Sequence, residues 1–445
     1  MAKIVFIGAG SIIFARTLLV DILSLEELKD LTISLMDIDQ KRLELTTKLA
    51  QRFVQQERLP TTVESTLNRK EALSDADYVI TMIQAGDLND IEKDLTIPLK
   101  YGVDQCVGDT LGPGGVMRAF RIIPALTEIC QDMGRLCPQA LLMNYSNPMA
   151  INCLAINQVS KIKNVGLCHS VQRTTRELAS YIGAPHEKRC YWAPHEEISC
   201  WVAGINHMAW FLEFRWGGKD AYPLLREAMK KKEIYEKDPV RFEIFRHFDY
   251  FVTESSGHMS EYIPYIRKRK DLIDKFCRKG ALLGESRCWM REHREREEAY
   301  YEEVKRQIAG EERIETRRSD EYASVIIHSM ETGEVSRING NVLNTGLITN
   351  LPYGSCVEVP CLVDETGIRP CYIGELPAQL AALNCSNINM QRMAVKAAIS
   401  KDKHLAFQAV ALDPLTASVC SLDEIKKMVD ELFEAEKESL PETKR

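Results

Sequence analysis

The opening two dozen residues constrain this chain more than any other stretch. Lys3 to Gly8 is an apolar β run that closes in Gly8-Ala9-Gly10-Ser11, and from about Ile13 to Ser24 the residues Leu18, Leu19, Ile22 and Leu23 recur at helical spacing. Leu31 to Met36 reads as a second strand, halted at Asp37-Ile38-Asp39, where Asp39 is a good N-cap for a helix carrying Leu43, Leu45, Leu49 and Ala50. Tyr78 to Ile83, Ala140 to Tyr145 and Lys163 to Leu167 are further buried-strand patterns. Strands that alternate with helices must return by crossovers, which builds a parallel sheet with helices on both faces. The fold class is therefore α/β, beginning with a Rossmann-like unit.

After about residue 190 the alternation stops. Cys200 to Phe214 is strand material, Val342 to Leu362 resumes a β character around the turn Asn344-Thr345-Gly346, and helices close the chain before a polar tail after Leu440. Glu285 to Arg317 is dense in Arg and Glu and reads as a solvated helix with i,i+4 pairs, and Lys230 to Lys232 as a helix surface. The expected division is a nucleotide-binding domain over 1–190 and a mixed α+β domain over 191–445 that serves substrate, metal and oligomer contacts. A length of 445 residues suits two such units.

Lys plus Arg number 57 against 64 Asp plus Glu, a net charge of −7, which argues against a nucleic-acid partner because phosphate binding needs a concentrated positive field. No apolar run reaches the ~18 residues a membrane span requires. The fourteen cysteines include no C-x-x-C pair. With no signal peptide ahead of the first strand, they read as small apolar side chains in a reducing compartment, so a cytoplasmic address is expected.

Gly8 and Gly10 stand where a tight turn must let the backbone approach a pyrophosphate, and the helix after Ser11 offers unpaired N–H groups to the anion. The third glycine of G-x-G-x-x-G is replaced by Ile13, so the turn alone is a weak fingerprint. Asp37 strengthens it: a carboxylate at the end of the second strand accepts from a ribose diol and repels a 2′-phosphate, which favours NAD over NADP. The plainer alternative is a βαβ turn with no nucleotide.

Three polar islands follow strands or precede helices: Asp109 through Gly115 with Arg118, Asn144 through Pro148, and Gly166 through Ser170. A fourth is Gly204 through Met208. Ligands of open α/β sheets lie beyond the carboxyl ends of strands. Cys168 and His207 together could give a thiolate and an imidazole to a divalent metal, leaving positions open for substrate oxygens. Taken singly, each is more simply a core cysteine and a hydrogen-bonded histidine.

The chain resembles glycoside hydrolase family 4, the NAD- and metal-dependent glycosidases, and within it the α-galactosidase branch. The motifs that carry the likeness are Phe6 through Ser11, Met36 through Asp39, Asp109 through Arg118, Asn144 through Met149, Leu167 through Gln172, Ala203 through Met208, Phe251 through Ser256, and Asn350 through Val363. The resemblance implies hydrolysis of a small melibiose-like α-galactoside by a route outside the two-carboxylate scheme. NAD+ at Gly8, Gly10, Ser11 and Asp37 would oxidise C3. A base would then remove the acidified C2 proton, while Mn2+ or another divalent ion on Cys168 and His207 stabilises the enediolate. Elimination at C1, water addition and return of the hydride complete a turnover with no net redox change.

The same resemblance makes His169 the proton donor, leaves His258 or Tyr262 as the base, and gives Asn147 and Asp109 contacts to sugar hydroxyls. Each has a plainer reading: an orienting histidine, a turn asparagine before Pro148, a loop-capping carboxylate. The stretch His186 through Glu197 looks longer than in the α-galactosidase branch; a surface hairpin is expected there rather than a second metal site. A homodimer or homotetramer is expected from the family. The competing readings are another family 4 glycosidase, such as an α-glucosidase or α-glucuronidase, an NAD-dependent hydroxy-acid dehydrogenase, and a non-catalytic NAD sensor.

Overall fold

Successive side chains of a strand point to opposite faces, so an uninterrupted apolar run such as Ile4-Val5-Phe6-Ile7 needs a core on each side. The computed structural model, which describes residues 2–185 and 198–443, supplies both. Ile4 and Phe6 join Ile33, Leu35, Ile80 and Met143 on one face, and Val5 and Ile7 join Met36, Val79 and Leu142 on the other.

In chain order the strands are β1 (Lys3–Ile7), β2 (Thr32–Met36), β3 (Thr62–Thr66), β4 (Tyr78–Thr81), β5 (Leu141–Asn144), β6 (Asn164–Gly166), β7 (Ile198–Ile205), β8 (Met208–Trp216), β9 (Lys219–Asp220), β10 (Ser336–Leu343), β11 (Cys356–Asp364) and β12 (Gly367–Pro370). They form one sheet in the order β3-β2-β1-β4-β5-β6-β10-β11-β7-β8-β9, with β12 on β11. The first six are parallel to one another, in the order of a dinucleotide-binding sheet. The order reverses between β1 and β4, which opens a crevice at their carboxyl ends. The remaining strands pair antiparallel and extend the same sheet, joined to it where Asn341 of β10 lies opposite Gly166 of β6.

The expected first helix spans Ile12–Leu23, and the second, Gln40–Glu57, is capped by Asp39, whose side chain accepts from the backbone of Lys41 and Arg42. Strand β3 had no apolar signal: it is an edge strand with mostly exposed side chains. The charge-dense stretch contains the helix Cys288–Ala309. Besides the i,i+4 pair Arg296–Glu292, it sends Glu303 to Arg16 and Glu297 to Arg42 of those first two helices, so part of its charge ties elements together rather than facing water. The segment 186–197 lies outside the described residues. Among the described residues, no helix is long and apolar enough to cross a membrane.

Candidate active site

At the end of β1 the chain turns through Gly8 with φ of +90°, a conformation open to glycine, and an added Cβ would sit 2.8 Å from the Met82 carbonyl oxygen. The Gly10 N–H donates to Asp37 Oδ2 at 2.7 Å, and Asp37 Oδ1 accepts from the Asp39 N–H at 2.8 Å. A Cβ on Gly10 would lie 2.7 Å from that carboxylate, so glycine and aspartate are matched. Ser11 makes no side-chain capping bond to the helix it opens, which leaves the first-turn N–H groups for an anion. A bare glycine turn, a carboxylate at the ribose position and an uncapped helix start fit a dinucleotide.

Cys168 lies two residues beyond β6. His207 is the second residue of the two-residue turn that joins Ile205 of β7 to Met208 of β8, and its backbone is left-handed, φ +60°. A side-chain-bearing residue held there costs about 1–3 kcal/mol, which the paired strands on both sides supply. The turn brings His207 Nε2 to 3.4 Å from Cys168 Sγ. Burial, with the charge of His258 beside it, lowers the His207 pKa to about 4, so the imidazole is neutral, the form that binds a metal. Burial also pushes the Cys168 thiol far up, reinforced by the Glu358 and Glu254 carboxylates; a cation would relieve this. Among the described residues no group of three or more His, Cys, Asp or Glu side chains forms a metal cage. The donor set is a soft–borderline pair with room for outside ligands, and it fits a divalent ion that shares its coordination with a substrate.

The other polar islands converge on this pair. His258 stacks edge-on against His207, ring centroids 4.5 Å apart, and its Nδ1 forms a 2.7 Å ion pair with Glu254. Burial alone would lower the His258 pKa, but Glu254 and then Asp109 outweigh it and raise it to about 9, making an imidazolium. Glu254 is itself left-handed, φ +81°. Tyr262, one turn beyond His258, points its hydroxyl at His207 Nδ1 from 3.5 Å, and burial holds it as a phenol. Asp109 accepts from Asn147 Nδ2 at 2.8 Å and from Thr110 Oγ1 at 2.7 Å, while Arg118 Nε donates to the Asn147 carbonyl at 3.1 Å.

His169 stands next to Cys168 with a half-exposed ring, its Nδ1 2.8 Å from Glu321 Oε1. Burial opposes its protonation, but the Glu321 hydrogen bond and charge prevail and its pKa rises. Sequence reasoning missed Glu321, which is buried 152 positions away and carries no spacing signal. It also passed over Glu254, although that residue sits inside one of the motifs.

Two family models account for most of the chain: family 4 glycosyl hydrolase over residues 3–184, and the family 4 glycosyl hydrolase C-terminal domain over 202–416. The chain is 42% identical over 449 residues to an α-galactosidase of Bacillus subtilis (strain 168), with 100% of both chains covered. It is 38% identical over 446 residues to an α-galactosidase of Rhizobium meliloti (strain 1021), covering 99% of this chain and 89% of that one. A 6-phospho-α-glucosidase from gut microorganisms, solved with NAD and Mn2+, matches with a TM-score of 0.82 over 100% of each chain. At 20% identity that likeness speaks for the fold alone.

Proposed function

The chain belongs to glycosyl hydrolase family 4, and from that membership we propose that it is an α-galactosidase, hydrolysing small melibiose-like α-galactosides with NAD+ and a divalent ion such as Mn2+. The observation that carries the reading is the Cys168–His207 pair, 3.4 Å apart at the carboxyl end of a dinucleotide-binding sheet. Membership of a hydrolase family leaves the dehydrogenase reading without support.

Gly8, Gly10, Ser11 and Asp37 would hold NAD+, and Cys168 with His207 would hold the metal. When bound, the first supplies a reversible hydride acceptor for C3 of the galactosyl unit and the second a Lewis acid for its neighbouring oxygens, chemistry no side chain offers. Asp109 and Asn147, locked to each other, orient sugar hydroxyls. His169, whose pKa the Glu321 hydrogen bond and charge raise, gives its proton to the leaving oxygen at C1. His258 or Tyr262 takes the C2 proton, and either must first release its own, since Glu254 holds His258 as an imidazolium and burial holds Tyr262 as a phenol. Water then adds at C1, and the net change is hydrolysis.

The reading treats 1–190 as the nucleotide unit and 191–445 as the unit for substrate, metal and oligomer contacts, working as a homodimer or homotetramer. A thiol at the metal site suits the reducing cytoplasm.

Release of nitrophenol from nitrophenyl α-galactoside is expected only with NAD+, Mn2+ and a thiol reductant together. Turnover in D2O is expected to place deuterium at C2 of the released galactose. Hydrolysis indifferent to NAD+, or galactose without C2 label, overturns the reading.

A further inference from the structure

Beneath the Cys168–His207 pair the sheet buries a group of polar side chains that bond to almost nothing. Glu358 of β11 is fully buried, and neither of its carboxylate oxygens has a hydrogen-bond partner. It lies opposite Asn341 of β10 on one side and Gly204 of β7 on the other, and Asn341 is in turn opposite Gly166 of β6. Asn206 and Cys168 follow Gly204 and Gly166 by two residues, just past the strand ends, and both come near Glu358: the Asn206 amide lies beside its carboxyl, and its charge acts on the Cys168 thiol. Asn206 is buried with neither its amide nitrogen nor its oxygen bonded, and the Asn341 side-chain oxygen is likewise unpartnered.

An unpaired buried carboxyl costs several kcal/mol and persists where something outside the chain answers it. Charge arithmetic says what would answer it. A divalent ion held by one thiolate and one neutral imidazole, facing an uncharged sugar, keeps a net charge of +1 in a buried place. A carboxylate behind the thiolate cancels it.

We infer that Glu358 is the positioning residue that neutralises and anchors the divalent ion at Cys168 and His207, acting from behind the thiolate with Asn206 alongside. This rests on the metal reading above and adds to it a third, non-ligating participant from a strand that contributes no ligand.

The test measures Mn2+ binding directly, by electron paramagnetic resonance of free Mn2+ over the full-length wild type, Glu358→Gln, Glu358→Asp and Cys168→Ser. Glu358→Gln is expected to weaken Mn2+ affinity roughly ten- to hundredfold, as loss of an outer partner of a metal site does. Glu358→Asp should recover part of it, and NAD+ affinity should not move. Melting without Mn2+ separates this from a scaffold role: removing an unpaired buried carboxyl should leave the metal-free melting temperature unchanged or raise it. The inference is overturned if Glu358→Gln binds Mn2+ as wild type does while Cys168→Ser has lost binding, or if Glu358→Gln melts well below wild type without metal. Wild type that binds no Mn2+ would instead sink the metal reading, and this inference with it.

Discussion

His169 and His258 are both histidines beside a carboxylate, yet their surroundings suit them to different tasks. His258 is enclosed between Glu254 and Asp109 and pressed against His207, whereas His169 keeps a half-exposed ring with Glu321 fixing its Nδ1. That leaves Nε2 of His169 free to meet a leaving group. Glu321→Gln is therefore expected to lower kcat by roughly tenfold or more with little change in KM, since general acid assistance supplies about 10²–10⁴-fold; a rise in KM at constant kcat would refute the assignment. The choice between His258 and Tyr262 is decided by deuterium. Whichever of His258→Gln and Tyr262→Phe stops C2 exchange in D2O names the base, and exchange surviving in both removes both from that role. Cys168 and His207 were legible in the sequence because each follows a strand in a polar island. Glu321 and Glu358 were not, since one lies in a polar run and the other in an apolar one, and their partners are set by tertiary structure.

The short helix Ser256–Tyr262 does more than present His258 and Tyr262. Its Glu261 turns the other way and accepts from the backbone N–H groups of Cys106, Val107 and Gly108 at 2.6, 2.7 and 3.1 Å. A buried carboxylate thereby fixes the loop that ends in Asp109, so one element sets both sides of the proposed sugar site. Glu261→Ala leaves three N–H groups unanswered and is expected to cost about 3 kcal/mol in denaturant unfolding and to raise KM through Asp109; an unchanged KM would mean that Asp109 is held some other way. The loop continues into the helix Gly112–Leu136, where a Cβ on Gly115 would lie 2.6 Å from the Thr110 carbonyl carbon, so the glycine run there is a packing requirement. At this scale the parallel strands were readable from apolar runs bounded by turns. Strand β3 was not, because an edge strand such as Thr62–Thr66 is defined by its pairing with β2 and not by any apolar face.

Across the whole molecule, the helix Leu422–Ala435 near the end of the chain returns to the first third of the sequence and buries Glu436 against Arg121, which also pairs with Asp94. Burial, then Asp94, raises Glu436 to about 9 from an ordinary 4.5, with Arg121 pulling the other way, and Asp94 is raised as well. Between those values the folded chain keeps a proton that the unfolded chain releases, so stability falls as pH climbs from 4.5 toward about 9. Glu436→Gln should flatten the melting temperature against pH across that window; an unaltered slope would place the titration elsewhere. Sequence alone gave no hint of this return, because its partners are 315 residues apart.

The turn that holds His207 also has a consequence for how long the fold lasts. Cys168 and His207 are 39 positions apart in the chain, and they meet because β6 and β7 are spaced by β10 and β11. An unfolded chain scatters them, so an ion that grips both favours the native form by mass action, about 2.7 kcal/mol at a hundred times its dissociation constant. The metal then works as a removable staple: resistance to proteolysis would rise and fall with the manganese supply, with substrate absent and no reaction under way.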